Sequence, residues 1–463
     1  MPISPARIIA FDTLLRVETE AAYASEILHA RLNAKMDENV PTKAAKLSTR
    51  DAALATEIVM GALRWQRLLD FFIERYTKKK TTAIDAEVLV TLRIGIYQLR
   101  FLSRIPARAA VGESVELVKR ARKTSAAPFV NAVLHRAANE SREPAENFFP
   151  QEPALVDALA LAHSHPTWLV ERWLKRFGRA ETAALLDANN KPPNRACAVV
   201  DSENRDNVIL GLAEARVESQ PGRLLRDALI IRSGDISKAD AFEEGRIAFQ
   251  DEASQMIPLL LRVNRGDSVL DVCAAPGGKT MALARAAGPE ALVLAADLHE
   301  NRLHAMRKRL ARSEMSNIKM VALDATASLP FSGKFDRILV DAPCSGTGTL
   351  ARNPEIRWKL KSSDLAELHQ RQVLLLSSAL ERVASGGRLV YSTCSLEPEE
   401  NEHVVSETLK AHPEFRTDAV EIPPGILAVD ALAETLVGDD GAFRTFPPAH
   451  HTDGFFAAVL LRR

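Results

Sequence analysis

Apolar residues are spaced in two ways along the chain. Up to about residue 140 they recur every three or four positions, the period of a helix with one buried face. Beyond about residue 246 they gather in short runs separated by longer amphipathic stretches. In the first regime Ile8, Phe11 and Leu15 follow Ser4-Pro5, a capping serine and a first-turn proline. Val88, Leu92, Ile96 and Leu99 repeat the spacing in a more apolar stretch, the expected centre of a bundle. Prolines are absent between Pro5 and Pro41 and between Pro41 and Pro106, and no strand-like alternation stands out. Residues 1–140 are therefore expected to form an all-α N-terminal bundle.

From 139 to 166 the character changes. Pro144, Pro150, Pro153 and Pro166 punctuate a polar stretch, the mark of a linker with a short helix in it. Helical spacing returns at Trp168, Val170 and Trp173. Short apolar runs at 196–200 and 228–231 then give 141–245 the look of a linker helix and a small α/β middle element. From 246 to 463, runs at 268–273, 292–296, 318–321, 335–340 and 387–391 are short and β-prone, and 455–461 closes the chain. Strands alternating with helices imply a parallel sheet covered on both faces, a Rossmann-like α/β catalytic domain. Ligands of such sheets bind beyond the carboxyl ends of the strands.

Composition narrows the function classes only a little. At 463 residues the chain is long enough for two or three cores. No apolar run approaches the roughly 18 residues that cross a membrane. Asp12, Glu18 and Glu20 stand where a signal peptide would carry its apolar core, so a cytoplasmic location is expected. Net charge is zero, but Lys and Arg number 23 against 17 Asp and Glu up to Glu146, and 37 against 43 after it. A basic module on a mildly acidic body suits a polyanion-binding appendage as well as it suits an ordinary solvated surface. The four cysteines, Cys197, Cys273, Cys344 and Cys394, form no CxxC pair, so free thiols and no zinc site are expected. The pairs His163/His165 and His450/His451 lack partners at ligand spacing and are expected at the surface or in caps; no metal is expected.

Chemistry gathers at the expected strand ends. The first strand runs into Asp271-Val272-Cys273-Ala274-Ala275-Pro276-Gly277-Gly278-Lys279-Thr280, where glycines let backbone approach a ligand before a helix begins. The tail Gly278-Lys279-Thr280 is like the end of a Walker loop, but that loop needs a glycine where Cys273 stands, which disfavours an ATPase. Asp297 ends the second strand, about twenty residues after Gly278, where an acidic group takes ribose hydroxyls. Asp324 ends the third, suited to an adenine edge. Each is equally an aspartate capping the helix that follows. With Asp271, they fit an adenosine without phosphates, and S-adenosylmethionine is such a molecule.

The fourth strand delivers Asp341-Ala342-Pro343-Cys344-Ser345-Gly346-Thr347-Gly348, and the fifth Tyr391-Ser392-Thr393-Cys394-Ser395. Thiols there are either buried spacers or reactive groups beside a cofactor. A methyltransferase acting on carbon 5 of a pyrimidine needs one, because that carbon is a poor nucleophile. Thiolate addition to carbon 6 makes an enamine, carbon 5 takes the methyl, and loss of its proton with elimination restores the ring. Asp341 is suited to hydrogen-bond ring nitrogen 3, for which it must carry a proton, as burial would favour. A helix expected to start at Glu397-Pro398-Glu399-Glu400-Asn401 would favour a Cys394 thiolate, and the acidic residues, with Glu402, would oppose it.

The stretches 271–280, 341–358 and 391–405 resemble the bacterial RsmB (Sun/Fmu) rRNA methyltransferases within the wider Nop2/Sun family. Arg352-Asn353-Pro354-Glu355-Ile356-Arg357-Trp358, Gln250-Asp251-Glu252-Ala253-Ser254 and Asp453-Gly454-Phe455-Phe456 extend the likeness. The N-terminal part resembles the RNA-binding NusB domain, through Leu92-Arg93-Ile94-Gly95-Ile96-Tyr97-Gln98-Leu99, Ile105-Pro106-Ala107 and Phe129-Val130-Asn131-Ala132-Val133-Leu134. The resemblance implies S-adenosyl-L-methionine as cofactor and one cytosine of small-subunit rRNA as substrate; a monomer is expected. It implies Cys394 as nucleophile and Cys344 as a helper in releasing product. Cys273, Ala274, Ala275, Pro276, Gly277, Gly278 and Lys279, with Asp297, Asp324 and Asp341, would line the cofactor. Lys279 is expected to anchor the loop or pair with an acidic neighbour. One departure follows Asn189-Asn190 and Pro192-Pro193: relatives usually show Arg-Val-Asn where this chain has Ala198-Val199-Val200-Asp201, so a contact made by that arginine would be missing.

Rival readings change the target or the class. One rival takes a tRNA or another RNA as the target. A DNA cytosine methyltransferase would attack with Cys344 and not need Cys394, and an amino-group methyltransferase would need no thiol. An RNA-binding assembly factor with a relic domain would need no chemistry at all. For an RNA target, an unpaired base splayed into the pocket is the usual arrangement.

Overall fold

The helical spacing of the N-terminal residues is realised in the helices Pro5–Glu20, Ala24–Asn33, Thr49–Arg64, Gln66–Thr77, Ala86–Phe101, Ala107–Arg120 and Ala127–Glu140. Ala86–Phe101 is the hub, as its apolar run predicts: every residue from Val88 to Gln98 is buried. The computed structural model describes residues 2–20, 22–33, 47–150, 154–199, 205–311 and 315–463. Pro41, Pro153, Val200 and Asp201 lie outside the described residues. Beyond the bundle come the short helix Leu155–Ala162 and the longer Thr167–Asn189, which is kinked where Gly178 takes a φ of 75°.

The chain divides into two units, Met1–Lys191 with Leu350–Leu360, and Pro192–Thr349 with Lys361–Arg463. Sequence reading took 341–358 as one stretch within 246–463; the structure assigns Leu350–Leu360 to the helical unit. Within that unit the Arg357 guanidinium is fully buried and forms no ion pair among the described residues. Nη1 donates to the Ser164 carbonyl at 3.1 Å and to Asn190 Oδ1 at 2.9 Å, and Nη2 to the Asn189 carbonyl at 3.1 Å. Burial brings its pKa down to about 9. Trp358 Nε1 donates to the Leu63 carbonyl at 2.7 Å, and Glu355 accepts from the Ala24 amide at 2.8 Å.

The second unit holds two sheets. Strands β1 (Ala196–Val199), β2 (Glu218–Pro221), β3 (Leu229–Ser233) and β4 (Ile247–Phe249) form an antiparallel sheet in the order β2-β3-β1-β4. The larger sheet uses β5 (Val269–Asp271), β6 (Val293–Asp297), β7 (Ile318–Ala322), β8 (Phe335–Asp341), β9 (Val383–Thr393), β10 (Phe415–Asp418), β11 (Phe443–Thr445) and β12 (Phe455–Arg462). Its order is β10-β12-β9-β8-β5-β6-β7, with β11 paired to β12. Strands β5 to β9 pair in parallel, as expected. The all-parallel expectation fails at one edge, where β12 runs antiparallel to β9, β10 and β11. For the β11–β12 pair the reason is the link from Thr445 to Phe455, too short for the crossover that a parallel partner needs.

The topology fixes where chemistry belongs. From β5 the chain moves outward through β6 and β7, then returns to place β8 on the other side of β5. The strand order reverses between β5 and β8, and ligands of open α/β sheets bind at such switch points.

Candidate active site

Asp271 and Asp341 end the two strands that flank the switch point. Asp271 is buried, its Oδ2 accepts from Thr280 Oγ1 at 2.6 Å, and its Oδ1 is buried without a partner. Burial pushes its pKa up to about 7. The turn from β5 into the helix Gly278–Ala287 passes through Gly277 at a φ of 100°, in the left-handed region that glycine favours; a Cβ there would come within 2.8 Å of Met306. Asp297 steadies the same turn: its Oδ2 accepts from the Ala275 amide at 3.2 Å, and the half-exposed Arg302 pairs with it at 3.3 Å.

Asp341 accepts from Lys279 Nζ at 2.6 Å and from Ser392 Oγ at 2.8 Å. Lys279 is the loop's partner to an acidic neighbour, and its pKa is raised: burial alone would lower it, but the charge and hydrogen bond of Asp341 outweigh that. The expectation of a neutral Asp341 rested on burial alone. The structure gives its carboxyl group a salt bridge instead.

A pocket opens on the loop. Residues 273–279, Asp271 and Asp341 form one wall, and Ala198, Val199, Phe249 and Gln250 another. Two places of the Arg-Val-Asn departure therefore face the loop across this pocket. Asp297 and Asp324 do not line it. Asp324 is exposed, its Oδ1 accepting from the Thr326 amide at 2.9 Å and hydroxyl at 2.7 Å in a tight turn.

Strands β8 and β9 are parallel neighbours with Asp341 opposite Ser392, so their ends deliver Cys344 and Cys394 side by side, Sγ to Sγ 3.4 Å. The Cys344 thiol is pushed well above its ordinary value, first by its hydrogen bond with the Cys394 sulfur and then by burial. Cys273 is also pushed up, by burial and then by Asp271, Asp341 and Asp297. Cys197, buried in β1, is pushed up to about 12 by burial and belongs to the core of the small sheet.

A glutamate that sequence reading left among charged neighbours ties the two thiol loops together. Glu400 is fully buried. Its Oε1 accepts from the Ser345 amide at 2.7 Å and from Gln372 Nε2 at 3.0 Å, and its Oε2 accepts from Ser395 Oγ at 2.5 Å and from the Ser345 hydroxyl. The helix expected from Glu397 is a single 3₁₀ turn, Pro398–Glu400, and the α-helix Glu402–Ala411 starts only after it. The helix start expected at Glu397 is thus displaced by five residues, to Glu402. Glu397 is buried as well, and nothing in Glu397-Pro398-Glu399-Glu400 marks the third glutamate as the one that ties the two loops together.

The Asp453-Gly454-Phe455-Phe456 stretch closes the Ser-Gly-Thr-Gly loop from the other side. The Gly454 amide donates to the Gly348 carbonyl at 2.7 Å, and a Cβ on Gly348 would lie 2.1 Å from the Gly454 oxygen, which explains two glycines at once. The histidines divide. His451 is exposed and sits in the left-handed cap after a short helix, but His165 is fully buried, with Nδ1 at 2.7 Å from the His163 carbonyl, not at the surface as expected.

A sheet of this order, a glycine turn after its first parallel strand and acidic residues at the switch point define an S-adenosylmethionine-dependent methyltransferase. The cofactor suits the residues present: the partnerless Asp271 oxygen on the pocket wall calls for a donor, and an α-ammonium is one. More narrowly, the chain belongs to the 16S rRNA methyltransferase RsmB/F family, whose model matches residues 258–461. The NusB family matches 4–139, and the ferredoxin-like domain of RsmF/B-like methyltransferases matches 165–236.

Relatives match along nearly the whole length. The chain is 31% identical to the probable ribosomal RNA small subunit methyltransferase B of Bacillus subtilis over all of both chains. It is 35% identical to the ribosomal RNA small subunit methyltransferase B of Pseudomonas putida, over 95% of this chain and 97% of the other. The crystal structure of PH0851 superposes with a TM-score of 0.81 at 26% identity, covering 99% of each chain. A methyltransferase homolog protein from Pyrococcus horikoshii gives 0.57 at 27% identity, over 67% of this chain and all of the other.

Proposed function

We propose that this chain methylates carbon 5 of a cytosine in small-subunit rRNA, with Cys394 as the covalent nucleophile. The observation that carries the reading is the pair of sulfurs 3.4 Å apart beyond the switch point. Neither a DNA-type enzyme nor an amino-group methyltransferase has a use for the second one. In this reading 1–140 binds RNA, 141–245 forms the middle element and 246–463 is catalytic.

When bound, S-adenosylmethionine supplies an electrophilic methyl group for carbon 5. Residues 273–279 with Asp341 would hold it. Asp324 would meet the adenine and Asp297 the ribose, whose hydroxyls then compete with Arg302 for the carboxylate. The Cys394 sulfur forms a bond to carbon 6 of the target base. Cys344, with its raised pKa, remains a thiol and donates to that sulfur, which suits it poorly as the attacking group and well as a partner when the Cys394–carbon bond breaks. Asp341, fixed by Lys279 and Ser392, bonds the edge of the ring, and the carbon 5 proton leaves to a base or water as elimination restores the ring.

The test is incubation with 5-fluorocytosine-substituted small-subunit rRNA and S-adenosylmethionine, followed by denaturing electrophoresis. A protein–RNA adduct is expected for the wild type and none for Cys394→Ala. On ordinary rRNA, Cys344→Ala is expected to accumulate an adduct that the wild type resolves. An adduct lost with Cys344 rather than Cys394 would transfer the nucleophile to Cys344; no adduct on methylation-competent RNA would sink covalent chemistry altogether.

A further inference from the structure

The far wall of the pocket carries no chemistry in the reaction above, yet its composition is unusual for a surface. Phe249, the last residue of β4, is 47% exposed, although an unburied Phe forgoes one of the larger apolar gains open to a side chain. A lone exposed aromatic needs no explanation. This one lines the same concavity as Cys273, Lys279 and Asp341. It is also held in place: Cys197 of β1 pairs with Phe249 of β4, which brings Arg195, two residues earlier, over the ring with its guanidinium carbon 5.4 Å from the centroid. Phe242 packs at 6.1 Å. Arg285 and Arg309, both exposed, line the pocket as well.

A planar ring beside a planar cation, with further cations around an open pocket, suits a group with a flat π face and an anionic tether. Unpaired nucleotides have both, and proteins bind them by stacking bases on aromatic rings and guanidinium planes while arginines meet the phosphates. A peptide has no reason to want both at once. We propose that Phe249 and Arg195 form a stacking subsite for an unpaired nucleobase of the substrate RNA, adjacent to the nucleotide that enters the site of Asp341 and Cys394. The proposal rests on the RNA reading above. At Ala198 the small side chain leaves the pocket open between this platform and the loop.

The experiment compares wild type, Phe249→Ala and Phe249→Trp as full chains with small-subunit rRNA and S-adenosylmethionine, at one fixed salt concentration. Stacking on one base is worth about a 5- to 150-fold change in binding. Phe249→Ala should therefore raise KM for rRNA, and the Kd measured without cofactor, by roughly 5- to 150-fold, with a thermal midpoint close to wild type. Phe249→Trp, which keeps a stacking face, should restore both constants to within about threefold. An unchanged Kd in Phe249→Ala overturns the subsite, and so does equal impairment in Ala and Trp, which would mark a packing role. If the wild type forms no adduct with 5-fluorocytosine RNA, covalent chemistry fails while the Kd comparison still decides the subsite.

Discussion

At the scale of single residues, the site is built from groups whose charge states are set by where the strands end. Asp271 is the clearest case. Its pKa rises from 3.8 to about 7 because burial penalises the carboxylate. Between those values the folded chain binds a proton that the unfolded chain releases, so the stabilisation is complete below pH 3.8 and is lost as pH rises through about 7. Asp271→Asn keeps the shape and cannot ionise. Without cofactor, its thermal midpoint relative to wild type is expected to climb between pH 5 and pH 8 on the order of this shift. A difference that stays flat over that range would show that Asp271 ionises in the folded chain as it does in the unfolded one. The thiols follow the same logic: burial pushes up Cys197 and Cys273, and Cys344 is pushed up by its hydrogen bond with the Cys394 sulfur and then by burial.

At the scale of elements, the two thiol loops are held together by the buried Glu400 carboxylate, by the Gly348 amide donating to the Cys394 carbonyl at 3.0 Å and by the Leu396 amide donating to Thr347 Oγ1 at 2.9 Å. Glu400→Ala would leave the Ser345 amide, two hydroxyls and the Gln372 amide short of an acceptor. Unsatisfied buried groups cost about 1–3 kcal/mol each, partly relieved by water, so a loss of about 2–4 kcal/mol in urea unfolding is expected. Glu400→Gln preserves one acceptor and the shape; it should retain more of the stability than Ala and still form the 5-fluorocytosine adduct more slowly than wild type. Equal adduct rates in all three would mean that the thiols keep their 3.4 Å spacing without Glu400. Gly348→Ala is a harsher change, because its Cβ meets the backbone of Gly454, which cannot swing aside. We expect that variant to lose the adduct while leaving the helical unit folded.

At the scale of the whole molecule, the chain makes one excursion: Leu350–Leu360 belongs with the helices though it lies between two strands of the large sheet. Arg357 anchors it, a cation surrounded by carbonyls and an amide, with His165 beside it held well below its usual pKa by burial and then by the charge of Arg357. Arg357→Ala would open a cavity and strand those acceptors, at a cost of about 3 kcal/mol or more. All four tryptophans, Trp65, Trp168, Trp173 and Trp358, lie in the helical unit, so their fluorescence in a urea titration follows that unit alone. An unchanged midpoint in the variant would show that Arg357 is replaceable there.

The sequence by itself determined the kinds of element and the chemistry at their ends. Helical spacing around Val88 to Leu99 and short apolar runs such as 335–340 reflect which side chains face away from water, and that is a local property of the chain. The glycine turn after Asp271 and the two cysteine motifs were legible for the same reason, since each is a contiguous run with a fixed place after a strand. Tertiary structure alone decided which ends meet. Cys344 and Cys394 are fifty residues apart, and they touch only because β8 and β9 pair in parallel with Asp341 against Ser392. It also decided that β12 runs antiparallel, that Glu400 is the carboxylate holding both thiol loops, that Asp341 has Lys279 as its partner, and that Arg357 belongs to the helices. Each depends on satisfying buried polar groups among residues distant in sequence, and many pairings share the same local pattern until the whole chain is packed.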